Sequence, residues 1–174
     1  MKLSLPRASA AMALAFFVIS SAGCTLVNKI RAKNELNETA RTYKEGHFEE
    51  AEQHAKRALE LDPNNKTAPI FIARVVHQQY KPGVPTPDNV AKAREAIEAY
   101  KRVLQTDPDN DEAYKAVSVL YSQLGDDKSL RDWITARATN ANLKDEKRAD
   151  AYAILAGKDA DPTGVGVVEI YNLQ

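Results

Sequence analysis

The residues best able to do chemistry in this 174-residue sequence are its single cysteine and its three histidines. Cys24 alone cannot form an internal disulfide, which needs a second cysteine, or a zinc site, which needs further ligands. His47, His54 and His77 have no Cys, Asp or Glu at a recognised metal-ligand spacing, and no G-x-S-x-G, H-E-x-x-H or P-loop fingerprint occurs. We therefore expect no metal, no cofactor and no enzymatic activity, which leaves the position of Cys24 to explain.

The stretch before Cys24 has the layout of an export signal. Lys2 and Arg7 give a positive start, and an unbroken apolar run covers residues 10–19. Ten helical residues span roughly 15 Å, about half the hydrocarbon thickness of a bilayer, so this run is too short to cross a membrane. Small residues at 20–23 then form the kind of site that a signal peptidase admits. The sequence predicts a signal peptide over residues 1–23.

The segment Ser21-Ala22-Gly23-Cys24 resembles the lipobox of bacterial lipoproteins. The resemblance implies that the Cys24 thiol carries a thioether-linked diacylglycerol, and that the amine freed by cleavage is acylated, for example with palmitate. Two or more chains hold a protein stably at a membrane. Because Thr25, and not Asp, follows the cysteine, the resemblance implies the outer membrane, facing the periplasm. Ser21 departs from the family, where leucine is usual, and ordinary secretion is the alternative.

The charges of the chain balance, with 24 basic and 24 acidic residues. Removal of residues 1–23 takes away Lys2 and Arg7, so 22 basic residues then stand against 24 acidic ones, a net charge of −2. Nucleic-acid binding would require a basic excess on one face of the protein. A nucleic-acid partner is therefore not expected.

Two short segments of the chain repeat each other. Residues 58–65 and 103–110 share an Asp-Pro-x-Asn ending and lie 45 residues apart, and Gly46 and Gly125 form another pair 79 residues apart. The offset of 45 residues is one period of about 34 residues plus about 11, and the offset of 79 is two such periods plus about 11. We infer a 34-residue repeat that is interrupted once by an insertion.

The period and its residues resemble the tetratricopeptide repeat (TPR) family. The stretch from Tyr43 to Ala51 looks like the TPR turn, with glycine between two helices, an aromatic residue two positions later and alanine opening the second helix. Pro63 falls where the family places its helix-ending proline. The resemblance covers residues 32–157 and implies an all-α fold, a TPR-type α-solenoid of antiparallel helix pairs with about three repeats plus a C-terminal helix. On either side of this domain we expect a lipidated tether at residues 24–31 and an irregular tail at residues 158–174.

Helical periodicity, taken from the residues themselves, indicates the same elements. Apolar residues recur at spacings of three and four over 48–59, 93–104, 114–124 and 130–138. A further stripe predicts a last helix over 145–156 that covers repeat three. Its side chains expected to face inward are Ala149, Tyr152, Ala153 and Ala156.

Residues 80–89 interrupt repeat two. They contain three prolines and one glycine, which predicts a loop. Asp88 or Asn89 is expected to cap the helix that follows. The loop is either a tolerated surface insertion or a partner-binding element.

The TPR resemblance also implies a binding surface, because the first helix of each pair lines a concave groove in that family. The lining set is polar and basic, which favours an extended protein segment that bears carboxylates; the alternative is an ordinary solvated face. Leu36 and Ala40 stand where chaperone-binding TPRs have Lys and Asn, so a chaperone tail is not expected. The implied groove residues are Lys33, Tyr43, Lys44, Arg74, His77, Gln78, Lys115, Ser122 and Gln123.

These observations predict a membrane-anchored protein–protein interaction scaffold or adaptor in a bacterial envelope assembly. In layout the chain resembles the pilotin lipoproteins of type IV pilus systems and the TPR lipoproteins of outer-membrane β-barrel assembly, and no motif selects between pilus, secretion and outer-membrane biogenesis roles. The expected partners are other proteins or extended peptide segments, with the membrane reached through the lipid. A regulator that recruits a cell-wall enzyme and a secreted, soluble TPR protein are the alternatives.

Overall fold

The computed structural model describes the backbone of residues 8–160 and the side chains of residues 25–157. Every regular element within these limits is an α-helix, which confirms the predicted all-α class. The side chains of the predicted signal peptide, the Cys24 thiol and residues 161–174 lie outside the described residues. The helices are α1 (Ala8–Lys44), α2 (Phe48–Leu61), α3 (Ala68–Gln79), α4 (Pro87–Thr106), α5 (Asp111–Gln123), α6 (Asp127–Ala138) and α7 (Asp145–Ala160).

The chain divides into two compact units. The first is Met1–Ala68 and contains α1 and α2, whereas the second is Pro69–Gln174 and contains the other helices apart from the first residue of α3. Helix α1 passes unbroken through residues 24–31, so the predicted tether is helical. Among its described side chains, Ala32 is the first that is buried, which coincides with the expected start of the repeat domain. Within the described part of the chain, no helix is both long enough and apolar enough to cross a membrane.

In the first unit, α1 and α2 pack closely because small residues line their contact. Ala51, Ala55 and Ala58 recur at helical spacing on α2, and each is fully buried. Thr39 and Thr42 of α1 are also fully buried. Their hydroxyls donate to the backbone carbonyls one turn earlier, at 2.9 and 2.8 Å, so burial leaves neither hydroxyl unsatisfied.

The turns after α1 and α5 have the same geometry, 79 residues apart. Gly46 and Gly125 have φ angles of 81° and 66°, a left-handed conformation that suits glycine. The Gly46 amide donates to the Tyr43 carbonyl at 3.1 Å, and the next amide, that of His47, donates to a carbonyl five residues earlier at 2.9 Å. After α5 the corresponding bonds are both 3.0 Å. Both helices therefore end in the same glycine-dependent cap.

A second turn geometry occurs twice at the 45-residue offset. Asp62 and Asp107 end α2 and α4 with nearly equal backbone angles, φ −134° and −137° with ψ 85° and 79°. Three residues later, the side chains of Asn65 and Asn110 accept hydrogen bonds from the amides of Ala68 and Ala113, both at 2.9 Å. The Asp-Pro-x-Asn segment thus ends one helix and begins the next in the same way at both positions.

The second unit has two apolar clusters. In the larger one α3, α4 and α5 meet around Val76, Tyr100 and Leu120, each of them buried. In the smaller one α6 and α7 meet around Leu130, Ile134 and Ile154. Tyr121 of α5 is partly buried against both clusters, so it joins the two groups of helices.

The insertion in repeat two is only partly a loop. Residues 80–86 connect α3 to α4, whereas residues 45–47 alone connect α1 to α2; α4 is also longer, with 20 residues against 14 in α2. The predicted cap by Asp88 or Asn89 is wrong, because α4 begins at Pro87 and both residues already lie in the helix. The Asn89 side chain instead bonds Lys81 N, Lys81 O and Val84 O, each at 2.8 Å, and so closes the loop.

The predicted inward face of α7 is also wrong. Ala149, Tyr152, Ala153 and Ala156 are exposed, whereas the residues buried against α6 are Ala151 and Ile154, with Leu155 partly buried. Both sets recur at helical spacing. The buried set places the aliphatic side chains of Ile154 and Leu155 against the core, whereas the Tyr152 hydroxyl would need a hydrogen-bond partner if it were buried. Helix α7 does pack on α6, as expected for a covering helix, and it extends to Ala160, past the predicted start of the tail.

Candidate functional site

The groove residues predicted in the first unit lie on α1. Lys33 and Lys44 are exposed, whereas Tyr43 is half-buried with its ring 5.6 Å from the Phe48 ring, edge to face. Tyr43 therefore helps to hold α1 against the start of α2, and the two lysines are available to solvent.

In the second unit, Arg74 of α3 meets a carboxylate on α5. Its guanidinium contacts Glu112 through both Nε and Nη2, with 2.5 Å between Nε and Oε1. The guanidinium also lies 5.8 Å from the centre of the Phe71 ring. The two side chains are exposed over nearly half of their surface, so the ion pair contributes about 0–1 kcal/mol to stability. The predicted basic residue is thus accompanied by an acid that the sequence analysis had not considered.

The His77 side chain is partly buried within the second unit, where it packs against Tyr100. Its ring meets the Tyr100 ring edge to face at 5.8 Å, and its Nδ1 lies 3.3 Å from the Tyr100 hydroxyl oxygen. Burial lowers the pKa of His77 below its ordinary value of 6.5. The histidine is therefore neutral near pH 7 and adds no positive charge there. The neighbouring Gln78 is exposed.

The remaining predicted groove residues all lie on α5. Lys115 and Ser122 are half-buried and Gln123 is exposed. Arg74 and the α5 residues belong to one unit, and the ion pair with Glu112 brings Arg74 to the first turn of α5. The described part of the second unit thus contains a surface of mixed charge at α3 and α5, whereas the implied lining set is polar and basic and includes no acid.

A cluster around Tyr114 was missed at the sequence level. The Tyr114 ring stacks on Trp133 of α6, with centres 5.6 Å apart and planes 19° apart, and the Arg137 guanidinium lies 3.9 Å from its centre. Arg137 is buried and its Nη2 is 2.6 Å from Asp111 Oδ1. Lys147 of α7 reaches the same oxygen at 3.0 Å. The sequence did not indicate that Arg137 is buried, because a charged residue on an amphipathic helix such as α6 is expected on the exposed side.

The charges in this cluster hold three helices together. Burial of the Asp111 carboxyl opposes its ionisation, but hydrogen bonds from Lys147 and Arg137 outweigh that effect and lower the pKa of Asp111. Asp111 begins α5, where a negative charge also suits the helix dipole. Because its partners lie on α6 and α7, the carboxylate connects the first turn of α5 to both later helices.

Two concavities accompany these residues, one in each unit. The cavity beside Tyr114 has a volume of about 150 Å³ and is lined mainly by apolar side chains, with Arg137 at its polar edge. The concavity in the first unit has a volume of about 410 Å³ and is lined by polar residues that include Glu35, His54 and Arg57. There, Glu35 lies 2.7 Å from His54 Nδ1 and 3.3 Å from Arg57 Nε.

The described residues contain no group of three His, Cys, Asp or Glu side chains arranged to bind a metal ion. Comparison with known proteins adds no family, since neither a protein-family model nor a curated protein matches this chain.

Proposed function

We propose that this protein is a lipid-anchored bacterial lipoprotein whose TPR-type helix pairs bind segments of other proteins, so that it acts as a scaffold and not as an enzyme. The observation that carries the proposal is the recurrence of two turn geometries at the offsets of the sequence repeat. The glycine cap after α1 occurs again after α5, and the Asp-Pro-x-Asn turn after α2 occurs again after α4. Repeated helix pairs of this kind characteristically present extended surfaces for binding.

The proposed ligand is an extended, acidic protein segment bound along α3 and α5. Arg74 offers a planar, doubly donating group suited to carboxylates. It already pairs with Glu112, so an incoming carboxylate has to compete with that side chain. The pair is exposed over nearly half of its surface, which leaves it accessible to such exchange. We infer that Arg74 strengthens the binding of acidic ligands and that Glu112 weakens it.

Two variants separate this role from a structural one. Arg74→Gln and Glu112→Gln remove the same exposed ion pair, and loss of that pair should change the free energy of unfolding by about 0–1 kcal/mol in each variant. Their effects on a fluorescein-labelled peptide rich in aspartate and glutamate should be opposite. Loss of a charge-assisted hydrogen bond costs about 1.5 kcal/mol, so Arg74→Gln should weaken binding about tenfold, whereas Glu112→Gln should strengthen it.

Fluorescence anisotropy measures both affinities, and a peptide with lysine in place of its acids is the matched control. Changes of the same sign in both variants would mean that the ion pair acts through stability alone. Equal binding of the acidic and the basic peptide would show that the surface has no preference for carboxylates.

The proposed anchor is Cys24, with the protein held at the outer membrane and facing the periplasm. The test is the mass and the membrane partitioning of the native protein beside a Cys24→Ala variant, both expressed in a bacterium with lipoprotein processing. A lipid-sized addition of mass that the variant lacks, together with release of the variant from membranes, is expected. A wild-type chain that carries no lipid and does not sediment with membranes would overturn the anchor. The peptide-binding experiment would not be affected by that result.

A further inference from the structure

The exposed apolar side chains of the described residues are concentrated at one place. Among residues 25–157, five large hydrophobic side chains are exposed, and three of them lie in one five-residue stretch of α1: Leu26 at 63 %, Val27 at 47 % and Ile30 at 56 %. Single exposed apolar residues are ordinary on a protein surface, whereas a group of them indicates an interaction site. We call these three residues the N-terminal apolar face.

Helical geometry puts the three residues on one side of α1. Positions i, i+1 and i+4 lie within about 100° of each other around a helix with 3.6 residues per turn. Ala32 is fully buried against the first unit, in a cluster with Ala58, so the side of α1 that packs on the protein is a different one. The N-terminal apolar face therefore points away from the unit to which α1 belongs.

Positive charges border this face and negative ones are missing from it. Lys29 and Lys33 lie along one edge and Arg31 along the other, and all three are exposed. The ten residues 25–34 contain these three basic residues and no acid. An apolar strip between cations fits the boundary of a bilayer, where the strip enters the acyl region and the cations reach anionic headgroups.

We propose that the N-terminal apolar face lies in the interface of a membrane that contains anionic lipid. This inference rests on the proposed lipid anchor, because Cys24 precedes Leu26 by only two residues and would hold this part of α1 at the bilayer. The face ends after one to two turns. The positions that continue it along α1 are Asn34, Asn37 and Arg41, which are polar, so among the described side chains of α1 only those around residues 26–30 dock.

Tryptophan scanning in the lipidated full chain tests the proposal. Ile30→Trp places a reporter on the face, and Asn28→Trp places one about 200° around the helix at nearly the same height. Both proteins are reconstituted into vesicles of phosphatidylethanolamine and phosphatidylglycerol with brominated acyl chains, which quench nearby tryptophans. We expect Ile30→Trp to lose at least about twice as much fluorescence as Asn28→Trp, because only its side faces the acyl region. Trp133 contributes the same background to both.

The charged border is tested with the same reporter. Each basic residue near an anionic surface strengthens binding about fivefold. In an unlipidated Cys24→Ser background, loss of these three cations alone would weaken vesicle binding by a factor on the order of 100, so the reversal in Lys29→Glu, Arg31→Glu and Lys33→Glu should weaken it by at least that factor. Vesicles of phosphatidylcholine alone should weaken binding of the unreversed chain in the same direction, and equal binding to both vesicle types would overturn the role of the cations.

The mass of each reconstituted sample separates the two proposals. A lipidated chain in which both reporters are quenched equally, or neither is quenched, overturns the docking of this face and leaves the anchor intact. A chain that carries no lipid but still shows selective quenching of Ile30→Trp overturns the anchor and keeps the docking. Failure of both readouts overturns both.

Discussion

Replacement of Gly125 by alanine would measure the backbone strain on which the repeated helix cap depends. Gly125 has a φ of +66°, and a Cβ added to it would meet nothing within 4 Å. The added methyl group therefore has room, and the left-handed conformation is the only obstacle. That conformation costs a non-glycine L-residue about 1–2 kcal/mol. The smaller freedom of alanine in the unfolded chain offsets about 0.4–1 kcal/mol of this cost. We expect a net loss of about 1 kcal/mol in the free energy of unfolding.

The assay is urea unfolding followed by the fluorescence of Trp133, the only tryptophan of the chain, which lies in the same unit as Gly125. Gly157→Ala is the matched control, because Gly157 lies inside α7 without a positive φ and its added Cβ also meets nothing. Alanine is the better helix former by about 1 kcal/mol, so this control should not destabilise the protein and should move stability in the opposite direction. Gly125→Asn should cost less than Gly125→Ala, since asparagine tolerates the left-handed region.

The outcome can refute the reasoning in two ways. If Gly125→Ala is as stable as the wild type, the left-handed cap does not limit the residue type at this turn. If it loses more than about 3 kcal/mol, backbone strain of about 1–2 kcal/mol cannot account for the loss, and a packing contact must be involved.

Two further predictions concern buried and loop-closing side chains. Because burial lowers the pKa of His77 in the folded state, the unfolded chain binds the proton more readily, so stability should fall as the pH drops through 6.5. His77→Gln should flatten this dependence, as measured by urea midpoints at acidic and neutral pH; an unchanged slope would assign it to other groups. Asn89→Ala removes three hydrogen bonds to the loop and should cost about 2 kcal/mol, whereas Asp88→Ala should cost less than about 1 kcal/mol. Equal losses in urea unfolding would restore a capping role for Asp88.

The all-α class and the places of the helices could be predicted because they depend on local patterns. Apolar residues at helical spacing indicate α2 and α4 to α7, and Pro63 and Gly46 mark where helices end. The 79-residue offset paired Gly46 with Gly125 in the sequence, and the helix caps at these two glycines have the same hydrogen bonds. The TPR assignment and the lipid on Cys24 stay predictions because they rest on resemblance, and the signal peptide stays one because it rests on the residue pattern of 1–23 alone.

The errors arose where two local solutions were equally good. Helix α7 carries apolar residues on two sides, and periodicity alone does not say which side meets α6. Asn89 is both a good helix cap and a good closing residue for a loop, and the choice depends on where Lys81 and Val84 lie. A side chain that can satisfy either partner is decided by tertiary geometry, which no window of sequence contains.

The charge of the candidate surface could not be predicted for a related reason. Arg74 and Glu112 are 38 residues apart and belong to different helices, so their pairing depends on how α3 and α5 pack. The burial of Arg137 over Tyr114 likewise requires α5 and α6 to meet at a particular height. The residue types that can bind carboxylates are visible in the sequence, whereas the fold determines which of them already bind one.

The small-residue contact between α1 and α2 also limits how this protein can vary in evolution. Thr39, Thr42, Ala51, Ala55 and Ala58 have no exposed surface at all, so any added methylene has to displace a neighbouring helix. The selection acting on these positions is therefore on side-chain volume more than on hydrophobicity. Replacement by residues of equal or smaller volume should be accepted there, while leucine and phenylalanine should be rejected. Distant relatives of this chain would then be recognised by a conserved pattern of residue size in their first helix pair, even after the identities of the residues have been lost.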